Sequence, residues 1–367
     1  MKTITIFNNK GGVGKTTLSY HTAHALGEMG HKTLIMDLDP QCNVTILAIE
    51  EEKLHEIWEK EDPFISDYKL VRDNMPEIEY ASLFEETRSV HFLLKPAQDG
   101  VDSNNLSKPY ELASNVDIIP GRLTMHLFED KISNVWSDVY KGDPHAIRIV
   151  TEVRRLALKY AEKYDYEYVI IDTSPSLGSL NKTIISVTDG FIIPAMPDLF
   201  SVYGIKNIGN ALKAWQKEFH LISQFIPEEK RLSFPNKFVR LLGYTIYNAR
   251  RRENPQQWDL TTAHYNYAKQ IPEIIKSYID KSIWSPIGEG ILQKPIGEMS
   301  VMHTHNTFPN MAQKYHVPMW KVPSANLEPA DVSTISGNRA KYEATKQAYI
   351  TFVTDVISRI NMLSDEG

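Results

Sequence analysis

Apolar residues in this chain come in short runs, separated by stretches of helical period. "TITIF" (3–7), "KTLIMDLD" (32–39), "VDIIPG" (116–121), "YEYVIIDTSPSLG" (166–178) and "GFIIPAMPD" (190–198) each contain a strand-length apolar run. Runs without polar alternation suit strands covered on both faces of a parallel sheet. Between them, 15–29, 145–164 and 201–219 read as helices, the first with Leu18, Ala25 and Leu26 toward the core. "FVRLLGYTIYNARRREN" (238–254) is a strand that runs into a basic tripeptide. A last amphipathic helix is expected from about 338 to 361, with Tyr342, Ala348, Tyr349, Phe352, Val353, Ile357 and Ile360 inward. Strands alternating with helices predict an α/β fold with a doubly wound, mainly parallel sheet.

From 48 to 115 the pattern degrades into Glu, Asp, Asn and Pro, with short helical fragments such as 51–60. We read this stretch as an insertion or elaborated connection over the surface. The expected layout is therefore a main domain of 1–47 and 116–330, the 48–115 insertion, and a C-terminal helical segment at 331–367.

Composition narrows the options. The chain has 367 residues, 42% hydrophobic and 23% charged, as in soluble globular proteins. A net charge of −6 makes any nucleic-acid surface a local one. A single cysteine, Cys42, excludes an intrachain disulfide framework or a thiolate cluster. No basic–apolar–small signal pattern opens the sequence and no apolar run reaches about 20 residues, so a cytoplasmic protein is expected.

The chemistry concentrates at "IFNNKGGVGKTTLS" (6–19). A glycine-rich turn between strand and helix frees backbone N–H groups for an anion, and the helix N-terminus adds its dipole. Gly11, Gly12, Val13, Gly14, Lys15, Thr16 and Thr17 form the expected phosphate cradle. Lys15 would reach β- and γ-phosphates, and the Thr16 hydroxyl would face Mg2+. Asn9 stands where the strict phosphate-loop template has glycine. "MDLDPQ" (36–41) supplies Asp37 and Asp39 at a strand end, and "VIIDTSPS" (169–176) supplies Asp172. A carboxylate placed like Asp172 reaches the magnesium ion through water. His303 and His305 have no carboxylate or cysteine at ligand spacing, so we assign them a surface or loop role.

"KGGVGKTT", "DLDPQCN" and "DTSPSLGSLN", in this order, resemble the ParA/MinD family of P-loop ATPases, marked by a deviant loop with an additional lysine. "FIIPAMPDLFSVYGIKNI" (191–208) and "IIPGRLTMHLFED" (118–130) bring the likeness closest to the ParA (Soj-like) branch. It covers roughly 1–47 and 116–250. The resemblance implies that Lys10 reaches across a dimer interface to the partner's nucleotide, so that two ATP molecules are sandwiched between subunits. It further implies that Asp39 orients the attacking water, Asp37 lies nearer the magnesium shell, and Asp172 is the Walker B carboxylate. Asn248 falls where the family often contacts adenine, although a strand-terminal Asn is about as often a turn residue. Cys42 replaces the family's usual glycine. The stretch 294–323 stands where a family segment near the adenine is expected.

Family members bind DNA non-specifically through scattered cations. Here "ARRR" (249–252), Lys237, Arg240, Arg339, Lys341 and Lys346 are the candidates. The end, "ISRINMLSDEG", lacks a basic amphipathic tail, which argues against membrane binding. The resemblance thus implies a homodimer formed on ATP, non-specific DNA, nucleoid association and an activating ParB-like partner that stimulates hydrolysis. The alternative is an ATP-gated switch that recruits a protein effector through 48–115 without gripping DNA. A metabolic P-loop enzyme is a third reading, with its iron-protein form excluded by the single cysteine.

Overall fold

The structure, a computed structural model, describes residues 1–226, 234–252 and 257–364. Glu253 and Asn254 of the basic stretch and the acidic end at 365–367 lie outside the described residues.

Among the described residues seven strands form one sheet: β1 (Lys2–Ile6), β2 (Thr33–Asp37), β3 (Tyr110–Ala113), β4 (Val116–Ile119), β5 (Tyr168–Asp172), β6 (Gly190–Ala195) and β7 (Arg240–Ile246). Their order is β3-β4-β2-β5-β1-β6-β7, parallel throughout except for β3, which pairs antiparallel with β4 at one edge. The mainly parallel, doubly wound arrangement is the one the sequence pattern predicts. β1 lies between β5 and β6, with Ile4 opposite Ile170 and Gly190. Asp37 and Asp172 are register partners at the ends of β2 and β5. The loop after β1 therefore emerges beside both carboxylates, at the carboxyl ends of the strands, where open α/β sheets hold their ligands.

Alternation along each strand divides the core between the two faces. Leu34 and Met36 join Val169 and Ile171 on one side, under the helices Met125–Val139, Pro144–Tyr164, Ser179–Val187 and Leu199–Phe225. Ile35 and Ile170 point to the other side, under α1 (Lys15–Glu28) and the C-terminal helix Arg339–Ser364. That last helix buries Tyr342, Tyr349, Phe352, Val353, Val356 and Ile360.

The stretch 48–115 departs from its expected form. It holds the helices Glu51–Ser66, Tyr68–Asn74, Glu77–Ser82 and Val90–Gln98, and it contributes β3 to the sheet. Phe64, Tyr68, Tyr80, Phe92 and Leu94 are buried with the main core, and the Phe64 and Phe92 rings meet edge-on at 5.3 Å. The helical signal was masked because a charged residue, Glu61, takes a core position between Ile57 and Phe64. Past 255 the chain is also more helical than its weak pattern predicts, with Thr262–Ala268, Ile271–Tyr278 and Phe308–Lys314 among its elements.

Candidate nucleotide site

β1 ends at Ile6 and α1 begins at Lys15, and the turn between them carries left-handed backbone at Gly12 (φ 73°) and Gly14 (φ 83°). A Cβ on Gly14 would lie 2.3 Å from the Tyr247 ring, whereas Gly11 and Gly12 face open space. That space is a cavity of about 500 Å3 lined by Gly11, Gly12, Gly14, Lys15, Thr16 and Thr17 on one side. Asp39 and Asn248 line it as well. The Val13 side chain is instead fully buried in the core.

Lys15 is nearly buried, and its ammonium donates to the Lys10 carbonyl at 3.2 Å. Burial pulls its pKa below the usual lysine value, and the charges of Asp172 and Asp39 oppose that shift. A cation held out of water with one carbonyl partner is poised for a polyanion. The Thr16 hydroxyl donates to Asp172 Oδ2 at 3.1 Å, and Ser19, one turn further on the same face of α1, donates to Oδ1 at 2.8 Å. Asp172 is pushed up to about 6 by burial, with hydrogen bonds from Ser19 and Thr16 opposing and the charge of Asp39 adding. Ser19 was not singled out from the sequence, although its spacing from Thr16 could have indicated it.

The two aspartates after β2 differ in their surroundings. Asp37 is fully buried; its Oδ1 accepts from the Asp39 N–H at 3.0 Å, and its Oδ2 accepts from the Thr45 N–H (3.1 Å) and hydroxyl (2.6 Å). Burial first, then the charge of Asp172, raises its pKa. Asp39 reaches the cavity, with one oxygen accepting from the Gln41 N–H at 3.0 Å. Between them and Asn43, Cys42 sits buried with left-handed backbone (φ 53°), a conformation that favours glycine.

Asn248 also has left-handed backbone (φ 57°). Beside it, Ala249 exchanges backbone hydrogen bonds with Met302 and Thr304, which brings Thr304, His305, Asn306, Pro309 and Asn310 to the cavity wall. The 294–323 segment thus supplies the wall opposite the phosphate loop, and Tyr247 adds a ring the sequence did not reveal. His305 stands in this wall, with burial pulling its pKa down to about 4, while His303 bonds the Trp258 carbonyl at 3.1 Å. Among the described residues, no three His, Cys, Asp or Glu side chains converge as a metal site. A magnesium ion here would complete its shell from phosphate oxygens and water, its usual habit.

Lys10 is not among the residues that line the cavity. Its ammonium pairs with Asp198 Oδ2 at 2.5 Å and lies 5.6 Å from the Phe200 ring centroid. The candidate DNA cations do not form one patch. Arg250 and Arg251 follow Asn248, which lines the cavity near the start of α1, whereas Lys346 pairs with Glu28 at the far end of that helix. Arg339 pairs with Glu343 along its own helix, Lys341 bonds Asn338, and Arg240 bonds the Ser282 carbonyl. Among the described residues no helix is long and apolar enough to cross a membrane.

Residues 1–224 match the family described as AAA domain. The sporulation initiation inhibitor protein Soj of Bacillus subtilis is 27% identical over 220 residues, covering 60% of this chain and 68% of Soj. Across curated relatives the match spans from 41% to 68% of their own lengths. Two solved structures share the fold over 98% of this chain. They are Cyanothece McdA in an ATP complex (TM-score 0.56, 16% identity, 96% of that chain) and ParA of pNOB8 bound to nonspecific DNA (TM-score 0.53, 19% identity, 98% of that chain). With the glycine-rich turn, Lys15 and the Thr16–Asp172 pair at the carboxyl ends of a mainly parallel sheet, these matches establish that the chain belongs to the ParA/MinD family of P-loop ATPases.

Proposed function

We propose that this protein is an ATP-driven switch that binds Mg–ATP at the phosphate loop, dimerises face to face, grips DNA non-specifically and releases it on hydrolysis. Such a cycle would position a DNA-borne or other cargo, place the protein on the nucleoid, and require an activating protein partner. The observation that carries the reading is the division of labour between two lysines. Lys15 is buried in the cavity, whereas Lys10 lies outside it on a partly exposed ion pair. A lysine outside its own cavity, on a partly exposed and weak ion pair, is available to a second subunit.

In this reading the backbone of Gly11 to Gly14 and the Lys15 ammonium hold the phosphates, and Thr16 and Asp172, with Asp37 beside them, would hold the cation. Magnesium, when bound, offsets the phosphate charge. Asp39, at the cavity wall with one oxygen fixed by the Gln41 N–H, orients the attacking water. Asn248 and the 304–310 wall enclose the base. Lys10 of each subunit stabilises charge developing at the other's phosphates, as an arginine finger does. The ATP-bound McdA and DNA-bound ParA neighbours support the two ligands chosen.

The test is DNA binding by Asp39→Ala, expected to trap the ATP dimer, with ATP and then ADP at about 150 mM salt, where exposed charges are already screened. ATP-dependent binding supports the positioning reading. A dimer that forms on ATP yet ignores DNA would replace it with the effector switch, for which the helical 48–115 stretch, with Leu70 and Ile78 exposed, is the recruiting element.

A further inference from the structure

The buried carboxylate of Asp37 is held by more than its own loop. The Thr45 hydroxyl that donates to it accepts in turn from the Gly121 N–H at 2.7 Å. Gly121 lies so close that a Cβ there would sit 2.9 Å from Asp37 Cγ and Oδ2. The strap formed by Gly121 and Arg122 is pinned from outside by the helix Glu51–Ser66. Trp58 Nε1 donates to the Gly121 carbonyl at 3.1 Å, and Arg122 Nη1 donates to the Trp58 carbonyl at 2.8 Å. Arg122 also pairs with Glu61, which is fully buried, and with Asp62. Glu61 is satisfied further by the Ser89 N–H at 2.6 Å and hydroxyl at 2.5 Å, which ties in the helix Val90–Gln98.

Each contact in this chain is directional, and Asp37, Glu61 and Arg122 are buried, with Asp62 at the exposed outer end. A buried, fully satisfied network of this kind has few alternative arrangements. It joins the helical 48–115 stretch to the carboxylate end of β2.

We propose that the helix Glu51–Ser66 clamps the nucleotide site, with Trp58 and Arg122 as positioning residues that hold Asp37 through Gly121 and Thr45. The proposal rests on the Mg–ATP reading only for its functional consequence. Loosening the clamp frees Asp37 to rotate, weakening the magnesium-dependent part of nucleotide binding and leaving the phosphate-loop part intact. Whatever moves the 51–98 helices thereby tunes the site from outside.

The experiment uses Trp58→Phe, which keeps the ring and removes the donor. In the nucleotide-free protein, amide exchange at Gly121 and Thr45 is expected to accelerate about fivefold, the effect of one lost hydrogen bond. The magnesium concentration for half-maximal binding of a non-hydrolysable ATP analogue is expected to rise about three- to tenfold, with binding in EDTA unchanged. Thr45→Val should reproduce both effects and Thr45→Ser should restore them, which keeps the test open if Trp58→Phe folds poorly. Unchanged exchange in Trp58→Phe and Thr45→Val overturns the clamp. Equal weakening with and without magnesium overturns it too, by showing general damage. A wild-type protein that binds no analogue refutes the ATPase reading and the clamp's role at the site, while the exchange result still decides whether the clamp exists.

Discussion

Asp198 performs two tasks with its two oxygens, and a single substitution separates them. Oδ2 pairs with Lys10, and Oδ1 accepts from the Ser201 N–H at 2.8 Å, capping the helix Leu199–Phe225. Asparagine keeps a capping oxygen and removes the charge, because Asn and Asp are comparable N-caps. The Lys10 and Asp198 side chains are 23% and 35% exposed, so the pair is screened and contributes about 0.5–1 kcal/mol. A symmetric dimer that recruits both Lys10 residues breaks two such pairs. Asp198→Asn removes that cost twice, about 1–2 kcal/mol, and should tighten the ATP-dependent dimer about 5- to 30-fold. Sedimentation with a non-hydrolysable ATP analogue measures the dissociation constant, and the melting temperature should fall by no more than about 3 °C. Asp198→Ala, which also loses the cap, should be less stable by about a further 1 kcal/mol. An Asp198→Asn dimer no tighter than wild type would refute the reasoning, since Lys10 would then not leave Asp198 on dimerisation.

Lys15→Ala should reduce ATP affinity at least about 100-fold, because it removes the buried cation of the cavity; equilibrium binding of a fluorescent ATP analogue checks this. His24 is held neutral by burial, with its pKa pulled down to about 3, so the folded protein binds fewer protons than the unfolded chain between that value and the ordinary histidine pKa. Stability from this group is present above the ordinary value and is lost as pH falls. His24→Gln should therefore gain about 2 kcal/mol relative to wild type on going from about pH 7 to pH 5, and parallel denaturation profiles would contradict it. Cys42→Gly should leave the melting temperature within about 2 °C, since relief of left-handed backbone offsets the lost thiol contacts. Cys42→Val should lose about 2–3 kcal/mol, because a branched side chain suits neither that backbone nor the space beside Gly121; a Val variant as stable as wild type would count against this.

Local chemistry was legible in the sequence and distant chemistry was not. The glycine-rich turn, Lys15 and Thr16 belong to one strand–loop–helix unit, and Asp172 ends a strand whose apolar run announces itself. Lys10 and Asp198 are separated by 188 positions, and nothing in either neighbourhood names the other. The helices of 51–98 were hidden because Glu61 occupies a buried position that a hydrophobic pattern assigns to an apolar residue, and Arg122, which pairs with it, lies outside the stretch. Their charges satisfy one another only after the chain folds. The 304–310 wall was expected near the base, but the Ala249–Met302 and Thr304–Ala249 bonds that deliver it depend on the completed sheet.

The C-terminal helix has a consequence for biosynthesis. Tyr349 stacks on His21 of α1 with ring centroids 5.0 Å apart, and α1 packs against that helix along one face. During translation the first helix emerges roughly 300 residues before its cover, a wait of about 15–60 s at 5–20 residues per second. The nascent chain must carry an uncovered apolar face for that interval, beside a phosphate loop whose own residues have already been made. A holding chaperone that binds apolar segments would find α1 open for that whole interval.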